Sequence, residues 1–400
     1  MVLFSCRGGL RVALILVKTI AMGAALAGAS RAAMAAETDI APATLRDAKP
    51  GTIFRVWPLG GGALNGNKGY RVLYRSTDYN DAPVAVTGAI IFPATPATKP
   101  RDVVAWAHPT TGVVSRCAPT LIPDLAGTIM GIDGLTDAGY VVVATDYVGL
   151  GTKDHHPYLV GASAARSVLD SVRAAQQLKD VGAGHRFAVW GHSQGGHAAL
   201  FTGIDAARYA PELKLVGVAA AAPATNLIAL FKADRDTSSG RSLTAMTVLS
   251  WSRVFGVPMQ EIVKEPSIRH FEALASDCIE TIRDFGKESH DEKALERSFL
   301  KVDPVSFGPV TKIMEQNTPG ALPAGTPVFI AQGTADDLVR PAITKAYVSM
   351  LCRGGARVKV RMMQGVGHMW AGRDSADAAV QWLGERFRGS AAPSDCSAFP

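Results

Sequence analysis

Five short apolar runs constrain this chain most. They are Val103-Val104-Ala105-Trp106-Ala107, Tyr140 to Thr145, Phe187-Ala188-Val189-Trp190, Leu213 to Ala220 and Pro327-Val328-Phe329-Ile330-Ala331. Each is apolar at nearly every position, so an extended segment there must be covered on both faces, and each is short for a buried helix. Helical spacing intervenes between several of them. Arg166 to Lys179 sets Val168, Val172 and Leu178 along one side, Gly196 to Ala207 follows the third run, and Ala342 to Leu351 follows the fifth. Such alternation predicts an α/β fold: a mostly parallel sheet with helices on both faces. Gly69 to Thr77 and Val84 to Phe92, joined by the polar turn Asp78 to Asp81, read as a strand pair ahead of this core. Val358 to Met363 reads as a strand behind it, followed by a closing helix, Ser375 to Phe387. The Gly- and Pro-rich stretch Ala48 to Asn67 is expected to wrap the surface.

The rhythm breaks at Asn226. From there to about residue 309 strand-like runs are missing and the spacing is helical. Residues 226–309 are therefore expected to form a helical cap inserted into a core made of residues 37–225 and 310–400. The first half of the insertion carries Leu243, Met246, Leu249, Trp251, Val254, Phe255, Met259 and Ile262; the second half, near Lys287 to Lys301, is mixed in charge. The apolar half suits a tunnel for an acyl chain. The same spacing also serves simply to pack one helix on another.

The third run leads into Gly191-His192-Ser193-Gln194-Gly195 and then into helix-forming residues. A Gly-x-Ser-x-Gly pentapeptide is weak evidence by itself. Between a strand and a helix it has a mechanical meaning: a cramped turn lifts the serine hydroxyl off the sheet and points the next backbone N–H groups at it from a helix N-terminus. A serine needs a base to take its proton and an acid to orient that base. On this kind of scaffold the chain order is serine, acid, histidine. Of the nine histidines, only His368 follows the strand near residue 330, in the loop Gly365-Val366-Gly367-His368. The acid should leave the end of that preceding strand, in Gln332-Gly333-Thr334-Ala335-Asp336-Asp337, which offers two candidates; Asp336 is preferred and Asp337 is expected to be its solvent-facing or hydrogen-bonding neighbour. An oxyanion needs two backbone donors. One is expected from Gln194 and the other from the His108 to Gly112 loop, where Pro109 has no N–H and either Thr110 or Thr111 must serve. His192 and His197 are excluded as the base by chain order. His108 is expected to be a buried structural residue, and the His155-His156 pair to be loop structure.

The formal charge of +6 carries no argument for an anionic partner. Arg7, Arg11, Lys18 and Arg31 precede the first acid, Glu37, and account for four of the six charges, leaving +2. Nucleic acid is therefore not expected as a partner. Arg7 and Arg11, the apolar stretch Val12 to Ala27 and the small residues Ala33-Met34-Ala35-Ala36 read as an export signal over residues 1–36. A retained membrane anchor is the competing reading, disfavoured by Lys18 and by the short apolar length. The remaining cysteines, Cys117, Cys278, Cys352 and Cys396, suit two disulfides in an exported chain, with three pairings open. Neither CxxC nor HExxH spacing occurs, so no metal site is expected, and the serine chemistry calls for no cofactor.

As an ordered set, several stretches resemble the secretory lipases of the Candida antarctica lipase A type and their bacterial relatives. They are Tyr70 to Thr77, Trp106-Ala107-His108-Pro109-Thr110-Thr111-Gly112 with Cys117-Ala118-Pro119 behind it, Gly191 to Gly196, Gly333-Thr334-Ala335-Asp336 and Gly367-His368. The resemblance implies an α/β-hydrolase core, a helical cap over the site, a Ser193–Asp336–His368 triad, and disulfides Cys117–Cys278 and Cys352–Cys396. Pro109 departs from the glycine frequent in relatives, and the cap is the least similar part. The expected activity is hydrolysis of carboxylic esters, lipids or other aliphatic esters, at a lipid–water interface or in solution, without a stable protein partner. Small polar esters, acyl transfer and peptide hydrolysis are the rival uses of the same residues.

Overall fold

A computed structural model describes residues 38–60, 64–279, 287, 290–293, 295 and 299–399. The export signal expected over residues 1–36 lies outside them. Among the described residues nine strands form one sheet: β1 (Ile53–Pro58), β2 (Lys68–Thr77), β3 (Pro83–Phe92), β4 (Arg101–Ala107), β5 (Val141–Thr145), β6 (Ala183–His192), β7 (Lys214–Ala221), β8 (Pro327–Gly333) and β9 (Arg357–Met363). Their order across the sheet is β1-β2-β3-β5-β4-β6-β7-β8-β9. The first three are antiparallel to their neighbours; β5, β4, β6, β7, β8 and β9 run parallel.

The continuous apolar runs divide by the two-residue period of a strand into two cores. Val103, Ala105, Val141, Val143, Phe187, Val189, Val218, Ala220, Val328 and Ile330 face one side. Helices α1 (Gly161–Gln177), α2 (Gln194–Tyr209) and, further along the chain, Pro341–Arg353 cover them with Val168, Leu169, Ala198, Leu200, Val348 and Leu351. Val104, Trp106, Val142, Ala144, Ala188, Trp190, Ala219, Phe329 and Ala331 face the other side. There the helix His368–Phe387 lays Ala371, Ala379, Trp382 and Leu383 on the sheet, beside Ala126, Ile129 and Leu135. Trp106 and Trp190, on adjacent strands, stand 5.8 Å apart, and the Trp190 indole N–H donates to the Met130 carbonyl at 3.0 Å. A buried tryptophan accepts this placement because its one polar atom finds an acceptor.

Between β7 and β8 the chain forms α3 (Leu227–Asp234), α4 (Ser238–Phe255), α5 (Ile268–Ala275) and α6 (Gly308–Gln316). Asn226 and Thr237 cap α3 and α4 by accepting from Ala229 and Gly240 amides. The apolar half of this insertion is spent mostly on packing: Met246, Leu249, Trp251 and Ile262 are buried and continuous with the second core. The last two long helices are α7 (Pro341–Arg353) and α8 (His368–Phe387).

Two segments depart from the expectations. Ala48 to Asn67 contains an edge strand, β1, paired with β2, rather than a surface wrap alone. Its residues alternate weakly, with Arg55 and Trp57 near the surface and Pro58 at the end, so an edge position leaves little pattern to read. His368 opens α8 instead of standing in a loop. Met369 and Trp370 are 57% and 53% exposed, and these outward apolar residues erase the helical periodicity of the first turn.

The described disulfides join Cys117 to Cys278 and Cys352 to Cys396. The first ties the loop after β4 to the insertion. Gly112, at φ +136°, lies against this bond, where a Cβ would come within 2.5 Å of Cys117 Sγ. The Ile279 amide donates to the Thr111 carbonyl at 3.0 Å beside it. A cross-link between residues 161 apart restricts the unfolded chain strongly. The double variant Cys117→Ser/Cys278→Ser should lose about 2–5 kcal/mol in urea unfolding followed by tryptophan fluorescence; an unchanged midpoint would mean the insertion is held by packing alone.

Candidate active site

Ser193 is the residue between β6 and α2, with φ 57° and ψ −117°. A side chain rarely holds this backbone, and its surroundings impose it. The Ser193 amide donates to the Ala221 carbonyl at 2.9 Å, and the Ser193 carbonyl accepts from His197 N–H at 3.0 Å. The turn passes so near β4 that a Cβ on Gly195 would lie 1.9 Å from the Ala107 carbonyl oxygen, and one on Gly191 would lie 2.2 Å from the Gly195 carbonyl oxygen. The two glycines of the pentapeptide therefore serve close backbone approach.

From this turn a line of hydrogen bonds runs into the protein. Ser193 Oγ lies 2.9 Å from His368 Nε2, and His368 Nδ1 lies 2.9 Å from Asp336 Oδ2. With Nδ1 facing a carboxylate, Nδ1 carries the proton and Nε2 is free to accept from the serine. The Asp336 side chain is fully buried, and four donors fix it. Leu338 and Val339 amides donate to Oδ1 at 3.1 and 2.7 Å, while the Gln332 side-chain amide and His368 donate to Oδ2. Thr344 donates to Gln332 Oε1 at 2.5 Å and holds that amide in place. Asp337 is exposed.

The other histidines near the turn are set by burial. Burial pushes His108 and His197 down to about 4 and His156 and His192 down to about 3, so all four are neutral around pH 7. His192 Nε2 donates to the His368 carbonyl at 3.0 Å, and its ring lies tilted by 35° against the His368 ring with centroids 5.1 Å apart. It backs the first turn of α8. His156 Nδ1 donates to the Val148 carbonyl at 2.8 Å, leaving Nε2 to accept from the Gln194 side chain at 3.2 Å. His108 Nδ1 donates to the Pro109 carbonyl at 2.6 Å. In the same loop Thr110 is partly exposed with its hydroxyl 2.9 Å from the Tyr158 hydroxyl, whereas Thr111 is buried and its carbonyl faces the insertion.

A narrow pocket with a cavity volume of about 40 Å³ opens beside Ser193. Leu227, Leu230, Phe231 and Leu243 of the insertion line it, together with Leu159, Leu338 and Val339. Of the insertion's apolar residues singled out by spacing, Leu243 alone is among them. Tyr158, Gln332 and Asp234, which bear on the site, carry no sequence signal: a tyrosine after Pro157, an amide within a strand and an acid at a helix end are all commonplace.

The sheet order and the turn at Ser193 put the molecule in the α/β-hydrolase class, and its relatives make it a carboxylic ester hydrolase. A model of the secretory lipase family matches residues 125–395, and the chain belongs to that family. It is similar to Lipase A of Arthroderma benhamiae, 25% identical over 371 residues that cover 87% of this chain and 75% of that protein. The fold is similar to Candida antarctica lipase A, with TM-score 0.73 and 18% identity over 89% of this chain and 86% of that one. It is also similar to the rice cell wall degrading esterase LipA from Xanthomonas oryzae, with TM-score 0.68 and 19% identity over 83% and 97% of the two chains.

The buried histidines make a test of these assignments possible. A histidine held neutral near pH 4 takes up a proton in the unfolded chain from about pH 6.5 downward but not in the folded one, so its contribution is lost as pH falls through that window. His197→Gln sacrifices the bond to the Asn317 carbonyl, 2.8 Å long in the native protein. Its stability deficit relative to the native protein should nonetheless shrink by about 1.4 kcal/mol per pH unit between pH 6.5 and about 4. Urea midpoints at a series of pH values measure this; a constant deficit would show that His197 is protonated in the fold.

Proposed function

We propose that the protein is an exported serine hydrolase that cleaves esters of aliphatic acids through an acyl-enzyme, with Ser193 as nucleophile, His368 as base and Asp336 as the orienting acid. The observation that carries this reading is the pair of 2.9 Å hydrogen bonds, Ser193 Oγ to His368 Nε2 and His368 Nδ1 to Asp336 Oδ2, beside an apolar pocket. The names of the relatives, lipases and an esterase, agree with it.

In the first half-reaction His368 Nε2 takes the serine proton as Oγ bonds to the ester carbonyl carbon. Negative charge moves onto the carbonyl oxygen. The Gln194 N–H at the start of α2 and the Thr110 N–H are the donors proposed for it, Thr110 rather than Thr111 because Thr110 sits against Tyr158, which lines the pocket. The carbon–oxygen bond to the alcohol then breaks and His368 returns the proton to the leaving oxygen. Water, giving its proton to His368, attacks the acyl-serine; the proton passes to Ser193 Oγ and the acid departs. Asp336 orients the imidazole and steadies the imidazolium formed in each step. Residues 226–309 are proposed as a cap that supplies most of the apolar wall for the acyl chain. Export over residues 1–36 agrees with the two disulfides, which persist in oxidising compartments.

A fluorophosphonate should label Ser193 in one-to-one stoichiometry, and His368→Ala should lower kcat/KM on p-nitrophenyl esters by at least about a thousandfold with an unchanged unfolding midpoint. Labelling at another serine, or full activity without His368, would move the chemistry elsewhere. Rates across acyl lengths below and above micelle formation separate lipase from small-ester use: a maximum at the acetate with no interfacial rise would exclude long-chain lipids as substrates.

A further inference from the structure

One carboxylate interrupts the largely apolar wall of the pocket beside Ser193, where Tyr158, Gln194 and Thr244 are the other polar side chains. Asp234, the last residue of α3, is 5% exposed and lines that pocket together with Leu230, Leu243 and Val339. Its Oδ1 is buried without a hydrogen-bond partner among the described residues. Arg340 Nη2 is 3.9 Å away, within ion-pair range but beyond hydrogen-bonding distance, and donates instead to the Ala233 carbonyl at 2.6 Å. A buried carboxylate oxygen that accepts no hydrogen bond is costly even beside an arginine at 3.9 Å, so such a group calls for a function.

The residue is also rigidly placed. The Asp234 carbonyl accepts from both the amide and the hydroxyl of Thr237 at 2.9 Å. Gly240 packs so tightly against it that a Cβ there would lie 1.8 Å from the same oxygen. A fixed acceptor in an apolar pocket is the arrangement by which a site selects a ligand bearing a matching donor. Two donor classes could answer, a hydroxyl or an ammonium. Arg340 already stands beside the carboxylate and disfavours a second full cation, whereas a neutral hydroxyl needs only the acceptor. Burial raises the Asp234 carboxyl to about 6, which leaves it mainly ionised and accepting above pH 7.

We propose that Asp234 is a specificity-determining residue whose carboxylate accepts a hydrogen bond from a hydroxyl on the substrate's acyl chain, so that the enzyme favours esters of hydroxylated aliphatic acids over the plain ones. This rests on the ester-hydrolase reading of Ser193 above. No covalent step is added: the contact positions the acyl chain while the serine reacts.

The test uses p-nitrophenyl hexanoate, octanoate and decanoate beside counterparts carrying a mid-chain or terminal hydroxyl. With the native enzyme, at least one hydroxylated ester should have the higher kcat/KM of its pair. In Asp234→Leu the ratio of hydroxylated to plain ester should fall at least about tenfold, with the plain ester hydrolysed faster than by the native enzyme. Asp234→Asn keeps the size and an uncharged acceptor, and its ratio should fall about threefold, which keeps the test decisive if the leucine variant does not fold. Fluorophosphonate labelling of Ser193 reports that each variant retains a working site. Equal rate changes on both members of every pair, in variants that still label, would overturn the proposal and leave the hydrolase reading standing. Failure of the native enzyme to cleave any ester or to label would overturn both.

Discussion

At residues 191–195 the chain turns from a central strand into a helix with too little room for side chains. The carbonyl of Ala107 on one side and that of Gly195 on the other occupy the volume a Cβ would need at Gly195 and Gly191. Ser193, the one residue there whose side chain escapes outward, is held at a positive φ by the hydrogen bond of its amide to β7 and by the helix that begins immediately after it. Such strain persists only where the surroundings over-determine it. Here they do: β4, β6, β7 and α2 all meet at this point, and two tryptophans on β4 and β6 fill the space beneath. Precision at the hydroxyl is thus a property of the whole sheet centre.

Once that turn is set, polar groups accumulate around it, and burial decides their chemistry. His108, His156, His192 and His197 lie within the same region, and desolvation keeps all four neutral, so their task is to hold neighbours by hydrogen bonds. His368 differs by its partners, a buried carboxylate on one ring nitrogen and the serine hydroxyl on the other. Asp336 is in turn fixed by two backbone amides and Gln332. The insertion between β7 and β8 closes the apolar side of the site while its buried residues extend the core of the sheet, so its packing and its pocket are one structure. The Cys117–Cys278 bond and the Ile279–Thr111 contact join that insertion to the loop after β4. The packing of this insertion and the shape of the pocket wall are consequently hard to alter independently.

The parallel core was legible because its strands are covered on both faces, which writes continuous apolar runs into the sequence, and the helices between them carry a clear spacing. Edge strand β1 was not legible, since one open edge and a terminal proline leave no comparable pattern. The start of α8 was hidden by the exposed Met369 and Trp370 beside His368. Among site residues, Ser193, Asp336 and His368 could be singled out from chain order and local turns, and the structure places His368 within hydrogen-bonding distance of both Ser193 and Asp336. Asp234 and Tyr158 could not, because their meaning lies in neighbours remote in sequence; Gln332, whose partners Asp336 and Thr344 are near it in the chain, is an amide within a strand that no local pattern marks.

The sequence by itself determined the α/β alternation, the cramped serine turn and the short set of acids and histidines able to follow it, because each of these rests on local periodicity or on order along the chain. It also bounded the cysteine pairings without choosing among them on spacing. Tertiary structure decided which face of each strand meets which helix, which of the insertion's apolar residues line a pocket rather than a core, and where a lone carboxylate enters that pocket. Those outcomes depend on contacts between segments far apart in the chain, such as Tyr158 with Ser250 of Trp251's helix, 92 residues on, or Arg340 with Asp234. No local propensity encodes such distances; they exist only once the sheet has set every segment at its station.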